Sequence, residues 1–205
     1  MTAERRFQAR GLARRQKLID AARQLLRDRD YAEVSFALIA SEAGVPEGSA
    51  YHFFPNRQAI FQAIARESND EFREAIQACK PVAGAGWNQL LAEQVSACLD
   101  VYRRDPTYQK LLPTMSIDPE SYTVEHEGNR ELAVAWAEEL RRHYRIPEST
   151  ALAEKLRLMI ECVDALISLA LVERGAVDDD CLTECQRLAT AYIGLYIPAC
   201  TEPTR

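Results

Sequence analysis

The stretch Phe36–Arg57, FALIASEAGVPEGSAYHFFPNR, constrains the fold more than any other part of the chain. It predicts a short helix, a tight turn at Gly44 and a second short helix that starts near Pro46. Ser35 is a favourable N-cap for the first helix, Gly44 supplies the left-handed turn residue, and Pro46 suits the first turn of the second helix. Two short helices joined in this way form a helix-turn-helix, whose second helix can enter the DNA major groove.

The flanking segments supply the helices that this small unit needs for a core. Apolar residues at helical spacing predict a first helix over about residues 14–29, preceded by a basic arm at 1–12. Asp30 follows at a position where helices often end in a left-handed residue. After a potential cap at Asn56, a long helix is expected over about residues 57–79.

Composition favours a globular, all-helical protein with a DNA-binding end. Of the 205 residues, 47% are hydrophobic and 27% are charged, and the net charge is −6. The charge is uneven: residues 1–29 hold nine basic and three acidic side chains, whereas residues 81–205 hold 12 basic and 20 acidic ones. Because phosphate affinity depends on the local surface, the acidic average does not exclude a nucleic-acid partner.

The six cysteines and the apolar segments give no sign of export or membrane insertion. Most cysteines lie in apolar helical surroundings, so reduced, buried thiols in a cytosolic protein are expected, although Cys181 and Cys185 could share a redox or metal role. The longest uncharged run, Leu188–Thr201, is too short to span a bilayer. We therefore expect a cytoplasmic protein with no membrane partner and no metal or other cofactor.

A linker, KPVAGAG at residues 80–86, separates the N-terminal helices from a second helical region. Together with the proline-flanked loop at 113–119, it is a candidate place for a hinge. Further helices are predicted over about residues 87–104, 106–112, 120–144, 150–174 and 178–197.

Residues 15–61 resemble the N-terminal domain of the TetR family of bacterial transcriptional regulators. The residues that carry the resemblance are Leu18 to Ala22, Tyr31, Ser35, Ile39-Ala40, Ala43 to Val45, Gly48-Ser49, Tyr51-His52, Phe54-Pro55 and Phe61. The resemblance implies an all-α fold with a DNA-binding domain at 1–57, a connecting helix at 58–80 and a ligand-binding and dimerisation domain at 81–205. It also implies a homodimer on a pseudo-palindromic double-stranded operator and a small-molecule effector.

The DNA face follows from the helix-turn-helix and from this resemblance. Ala37 and Glu47 stand where relatives often carry polar or basic residues, and Phe53 replaces a common His or Tyr and could touch a thymine methyl group. Arg57, with the free N–H groups at the start of its helix, is expected to form an anion site. The predicted DNA-binding residues are Arg15, Ser35, Pro46, Glu47, Ser49, Tyr51, His52 and Arg57.

Aromatic, soft and polar side chains between residues 87 and 174 are candidates for an apolar ligand pocket. Asp164 is notable, because a carboxylate in an apolar helix needs a partner, which is either a side chain across the core or a cationic ligand group. Plain core packing is the alternative for each of the other residues. The predicted ligand-binding residues are Trp87, Tyr102, Tyr108, Met115, Tyr122, His126, Trp136, Met159 and Asp164.

Two late helices carry apolar residues on more than one stripe, which is typical of helices with partners on two sides. Packing against the same helices of a second chain would form a four-helix interface. The predicted dimer residues are Met159, Val163, Ile167, Leu188, Tyr192, Ile193 and Tyr196.

The leading hypothesis is a repressor released by a small, largely apolar ligand. A ligand-independent regulator and a helix-turn-helix that binds proteins are alternatives, whereas no motif supports an enzyme.

Overall fold

The computed structural model describes residues 3–115 and 119–204, including all of their side chains except those of 3–8, 115, 119–122, 124 and 125. Within these ranges the fold is all-α, as predicted. The helices are α1 (Ala3–Asp28), α2 (Phe36–Glu42), α3 (Glu47–Ala50), α4 (Arg57–Ala78), α5 (Trp87–Arg104), α6 (Pro106–Met115), α7 (Pro119–His143), α8 (Leu152–Arg174) and α9 (Asp179–Gly194).

Helices α1, α2, α3 and the first half of α4 bury a common apolar core. Ile19 of α1, Ile39 of α2 and Ile60 of α4 are fully buried in it, and Ala50 anchors α3. The predicted start of the first helix at residue 14 is wrong, because α1 already begins at Ala3. Residues 3–13 contain no proline and several good helix formers, so the helix continues through the segment expected to be an arm.

Three local expectations also change. Asp30 is not left-handed: it is extended at φ −75° and its N–H donates to the carboxylate of Glu33, which starts a short 3-10 turn. Pro46 is the N-cap of α3 rather than a residue of its first turn. Pro113 does not open a loop, because it lies within the last turn of α6.

The remaining helices form a bundle into which α4 extends. Within it α7 packs against α4 and α8, and α5 packs against α4 and α9. The linker after α4 is non-helical, with Gly84 at φ +80°. Gly128 lets α7 cross close to α4, since a Cβ atom there would overlap with Nδ2 of Asn69. The bundle is therefore joined directly to the helix-turn-helix unit through α4.

Candidate DNA interface and ligand cavity

The helix-turn-helix is fixed by short-range backbone and side-chain contacts. Oγ of Ser35 accepts from the N–H of Leu38 at 3.2 Å, which caps α2. Gly44 has φ +62°, and the chain returns through a bond from the N–H of Val45 to the oxygen of Ala40 at 3.0 Å. These contacts confirm the predicted cap and turn, and they hold α3 at a defined angle to α2.

Helix α3 presents a polar, solvent-exposed face opposite the core. Pro46, Glu47 and His52 are exposed on it, Ser49 is half-buried, and Tyr51 has an exposed fraction of 52%. The ring of Tyr51 stacks on Phe36 of α2, with the ring centroids 4.4 Å apart, so its hydroxyl is held outward on a rigid base. The structure thus brings five predicted DNA-binding residues onto one surface, together with the exposed N-cap Ser35.

Arg57 takes a different orientation from the one expected. Its Nη1 donates to the backbone oxygens of Val34 at 2.9 Å and Tyr31 at 3.3 Å, and its guanidinium lies 4.9 Å from the Tyr31 ring centroid. The side chain therefore ties the start of α4 to the segment between α1 and α2. These bonds involve Nη1 and not Nε or Nη2, so the predicted phosphate contact of Arg57 stays a prediction. Asn56 caps the helix through a bond to the N–H of Ala59 at 2.8 Å, as predicted.

The N-terminal part of α1 lies beside the residues that follow α3 and adds basic side chains. Gly11 faces the ring of Phe53, which is half-buried there rather than free to reach a base. The guanidinium of Arg15 lies 4.9 Å from the Phe54 ring centroid, on the same side. Arg10 and Arg14 are exposed and four residues apart, so they share a helix face. The sequence does not predict this pair, because it places Arg10 in an arm and only Arg14 in the first helix.

A small cavity of about 30 Å³ lies between α4, α5, α7 and α8. Its wall is apolar except at one end, and it includes the aromatic rings of Phe72, Tyr102 and Trp136. Trp136 is held by a bond from Nε1 to Oε1 of Gln94 at 2.7 Å. The remaining lining residues are Val95, Cys98, Leu99, Asn129, Leu132, Met159, Ile160, Val163 and Asp164.

Asp164 is the acidic group of the cavity wall. The hydroxyl of Tyr102 donates to Oδ1 at 2.9 Å, and Nδ2 of Asn129 donates to Oδ2 at 3.1 Å. Burial raises the pKa of the Asp164 carboxyl to about 7. The hydrogen bonds from Tyr102 and Asn129 lower this pKa, whereas the nearby charge of Glu161 raises it further. The carboxyl therefore changes charge near neutral pH.

The cavity contains some, but not all, of the predicted ligand-binding residues. Tyr102, Trp136, Met159 and Asp164 line it. Trp87 lies at the far end of α5, where Nε1 donates to the oxygen of Pro198 at 2.9 Å. Tyr108 is buried behind the wall, against Phe72 and Tyr102, and His126 pairs with Glu161 at 3.2 Å. The side chains of Met115 and Tyr122 lie outside the described residues. The sequence does not single out Phe72, because it lies in the predicted connecting helix at 58–80, outside the 87–174 segment in which ligand residues were expected.

Two family models together account for most of the chain. The model of the bacterial regulatory proteins of the tetR family matches residues 18–64, and that of the tetracyclin repressor-like C-terminal domain matches residues 86–193, which is more than half of the chain. The protein belongs to the TetR family of transcriptional regulators. Members of this family are DNA-binding regulators rather than enzymes.

Individual relatives of this TetR-family chain are distant. The transcriptional repressor Rv1474c of Mycobacterium tuberculosis is 25% identical over 130 residues, which cover 63% of this chain and 66% of that protein. The curated relatives are thus matched over 44% to 66% of their own length.

Solved structures extend the similarity of fold to nearly the whole chain. A TetR-family regulator from Streptomyces coelicolor is 24% identical, with a TM-score of 0.70 over 90% of this chain and 99% of that one. The regulator RolR, solved in complex with resorcinol, is 19% identical with a TM-score of 0.63, covering 89% and 88% of the two chains.

The predicted dimer residues on α8 and α9 do not form one outward surface in this TetR-family fold. Met159, Val163, Ile167 and Ile193 are buried within the chain itself, so assigning them to a dimer interface is wrong. Leu188 and Tyr192 are half-buried, and Tyr196 is exposed. A different apolar stripe of α8 faces outward. We call it the outer α8 stripe, and it consists of Leu158, Cys162, Ala165, Leu169 and Val172.

Helix α6 links the cavity to the helix-turn-helix unit. The amide of Gln109 donates to the oxygen of Tyr102 at 2.5 Å, which ties α6 to the cavity wall. Nζ of Lys110 donates to the backbone oxygen of Arg27, in the last turn of α1, at 3.3 Å. It also donates to the backbone oxygen of Arg29, directly after α1, at 2.9 Å. Arg23 of α1 also pairs with Asp105, directly before α6.

The cysteines have no disulfide partners. Sγ of Cys181 and Sγ of Cys185 lie 3.9 Å apart, and burial raises the pKa of both thiols, which keeps them protonated and unreactive. Cys162 and Cys200 are exposed, contrary to the expectation of buried thiols.

Among the described residues there is no cluster of side chains suited to a metal ion. No helix in the described ranges is long and apolar enough to cross a bilayer.

Proposed function

We propose that this chain is a homodimeric transcriptional repressor that leaves its operator when a small, largely apolar ligand fills the cavity. The observation that carries the proposal is the position of Phe72. It lines the cavity, and it belongs to the same helix, α4, whose first residue braces the helix-turn-helix. A ligand can therefore act on the DNA-binding unit without contacting it. The repressor name of Rv1474c supports the proposed repression, and the resorcinol complex of RolR supports the proposed small-molecule ligand.

DNA docking would place α3 in the major groove. The side chains of Glu47, Ser49 and His52 would face base edges or the adjoining phosphates, and the Tyr51 hydroxyl would donate to a phosphate oxygen. Arg10 and Arg14 of α1 would add phosphate contacts at the edge of the groove. The acidic C-terminal region would stay away from the polyanion, so only the basic end of each chain would engage.

The outer α8 stripe supports a two-fold dimer. Leu169 and Val172 have exposed fractions of 50% and 75%, and the stripe residues follow a spacing of four and three, which produces one continuous helix face. Burying this face against a second copy would remove it from water. Two chains related in this way would present two α3 helices to successive major grooves, about 34 Å or more apart, and so read a pseudo-palindrome.

Release requires that the ligand favour one arrangement of the two α3 helices over another. A ligand between Phe72 and Tyr102 would press on both rings, which pack against Tyr108 of α6 at centroid distances of 5.7 and 5.2 Å. Motion of α4 and α6 would then reach the helix-turn-helix through Arg57 and Lys110. The repositioned α3 helices would no longer match both half-sites.

Selection of bound fragments from randomised duplex DNA tests the DNA-binding half of the proposal. We expect an enriched palindrome that binds two chains, and a promoter reporter carrying that palindrome over its start site should lose expression when the protein is made. A folded, dimeric protein that enriches nothing would favour the protein-binding alternative. A reporter whose expression rises would show an activator instead.

Since the target is chromosomal DNA, the protein would act in the cytoplasm.

A further inference from the structure

The polar end of the cavity contains an acidic group whose hydrogen-bond partners are neutral. Among the described residues, the partners of the Asp164 carboxylate are the Tyr102 hydroxyl and the Asn129 amide, and no lysine, arginine or histidine forms an ion pair with it. The neighbouring charged group is Glu161, which is acidic as well and pairs with His126 at 3.2 Å. The protein thus stabilises this carboxylate by hydrogen bonds alone.

A carboxylate in such a place has a physical preference for one class of ligand. Removing an ionised carboxyl from water is costly unless a cation or several donors compensate. A cation that enters the cavity gains a charge-assisted hydrogen bond and relieves that cost. A neutral donor gains the hydrogen bond but does not neutralise the charge, and an anionic ligand is repelled.

The rest of the wall reinforces the same preference. The rings of Phe72, Tyr102 and Trp136 line the space, and aromatic faces attract ammonium groups while also burying hydrocarbon. The lining has no basic side chain that would attract an acid. The space is only about 30 Å³, so the ligand must be compact and must part the lining side chains as it enters.

We propose that the cavity binds a compact apolar amine in its ammonium form, with Asp164 as the counter-ion and the three aromatic rings around the hydrocarbon part. This inference names the chemical class of the effector and rests on the proposed function for its regulatory meaning. Binding itself can be measured on the protein without DNA, so a failure here is separate from a failure of operator binding.

The test compares three probes of one shape and different charge: benzylamine, benzyl alcohol and benzoate. Trp136 lies in the wall, so its fluorescence reports binding directly once Trp87, the other tryptophan, is replaced by Phe. At about pH 8, where the amine is protonated and Asp164 is mostly ionised, we expect benzylamine to bind at least about tenfold more tightly than benzyl alcohol. Benzoate should bind more weakly than either.

Two variants distinguish the effect of the Asp164 charge on ligand affinity from the effect of the cavity's shape. Asp164→Asn keeps the size of the side chain and removes the charge, so benzylamine should lose about tenfold in affinity while benzyl alcohol loses clearly less. Glu161→Gln is the matched control, because it removes the adjacent carboxylate on the same helix, outside the cavity lining; benzylamine affinity should stay within about twofold.

Several outcomes would overturn the inference. If the protein with Asp164 intact bound benzylamine and benzyl alcohol equally tightly, the inference would be overturned. This comparison needs no variant of Asp164, so it remains a test even if Asp164→Asn does not fold. An undiminished affinity of Asp164→Asn for benzylamine would also overturn it. So would the absence of binding by all three probes up to millimolar concentration, even if operator selection succeeded.

Discussion

At the scale of single residues, Tyr51 offers the sharpest test of DNA docking, because its ring and its hydroxyl have separate roles. The ring stacks on Phe36, and the exposed hydroxyl is proposed to bind phosphate. Tyr51→Phe should keep the melting temperature and weaken operator binding by about 1.5 kcal/mol, the value of a hydrogen bond to a charged group. Fluorescence anisotropy with the selected palindrome measures the affinity, and no change in it would refute the phosphate contact.

Asp164 should make the stability of the protein depend on pH. Its pKa rises from 3.8 to about 7 on folding, so the folded state holds the proton more tightly than the unfolded chain. Its stabilising effect is complete below about pH 4 and is lost as the pH rises through 7. Relative to Asp164→Asn, the unfolding free energy should therefore fall by about 2 kcal/mol between pH 5 and 8.

Urea denaturation at the two pH values measures this difference. Comparing the variant with the unmodified protein cancels the other titrating groups near the site: Glu161 on the same helix, His126 on α7, Tyr102 and Cys98 on α5, and Cys185 on α9. Parallel pH profiles for the two proteins would show that Asp164 titrates as it does in the unfolded chain.

At the scale of helices, Arg57 is a brace between α4 and the segment that precedes α2. Arg57→Ala removes two hydrogen bonds to backbone oxygens and a cation–π contact, so the N-terminal unit should lose about 1–2 kcal/mol of stability. Thermal denaturation measures the loss. Arg66→Ala removes an exposed arginine from the same helix and should leave the stability nearly unchanged. If the two variants melted at the same temperature, the brace would contribute nothing.

The outer α8 stripe is the second feature at this scale. Leu169→Asp places a charge in the middle of the proposed interface, so the protein should sediment as a folded monomer. Val134→Asp changes an apolar residue that is also exposed, on α7, and should leave the dimer intact. Ile193→Asp serves a different purpose: Ile193 is fully buried, so this change should unfold the chain rather than only separate two copies. A dimeric Leu169→Asp protein would place the interface elsewhere.

Helical periodicity predicted the helices of this chain but not the direction in which their faces point. The apolar residues of α8 form two stripes, and hydrophobicity alone cannot say that Met159 and Val163 turn inward while Leu158 and Leu169 remain outside. That choice depends on where α7 and α9 pack. Arg57 shows the same limit, since its inward orientation depends on two backbone oxygens supplied by a distant turn.

The candidate site was predictable to a similar extent. The exposure of residues in and just after α3 follows from a local motif, and Glu47, Tyr51 and His52 are exposed. Their contact with DNA stays a prediction. The cavity is assembled from α4, α5, α7 and α8, which are far apart in sequence. Asp164 could be identified because a lone carboxylate in an apolar helix stands out, whereas Phe72 and Leu132 resemble ordinary core residues.

At the scale of the whole molecule, binding at the cavity can influence DNA only through a physical connection between the two ends. The described residues include such a connection in α6, whose Gln109 is bonded to the cavity wall and whose Lys110 is bonded to the end of α1. Coupling through it must be reciprocal, because an effector that weakens DNA binding is itself bound less tightly by the DNA complex.

Lys110→Met tests this connection without altering either binding site. The variant keeps the length of the side chain but cannot donate to the oxygens of Arg27 and Arg29. We expect effector binding to the free protein to be unchanged, while the ratio of operator affinities without and with effector shrinks by about three- to tenfold. Arg104→Met is the matched control, since Arg104 donates to Asp100 on its own helix. An unchanged ratio in Lys110→Met would exclude this contact from the coupling and leave α4 as the route through which the ligand acts.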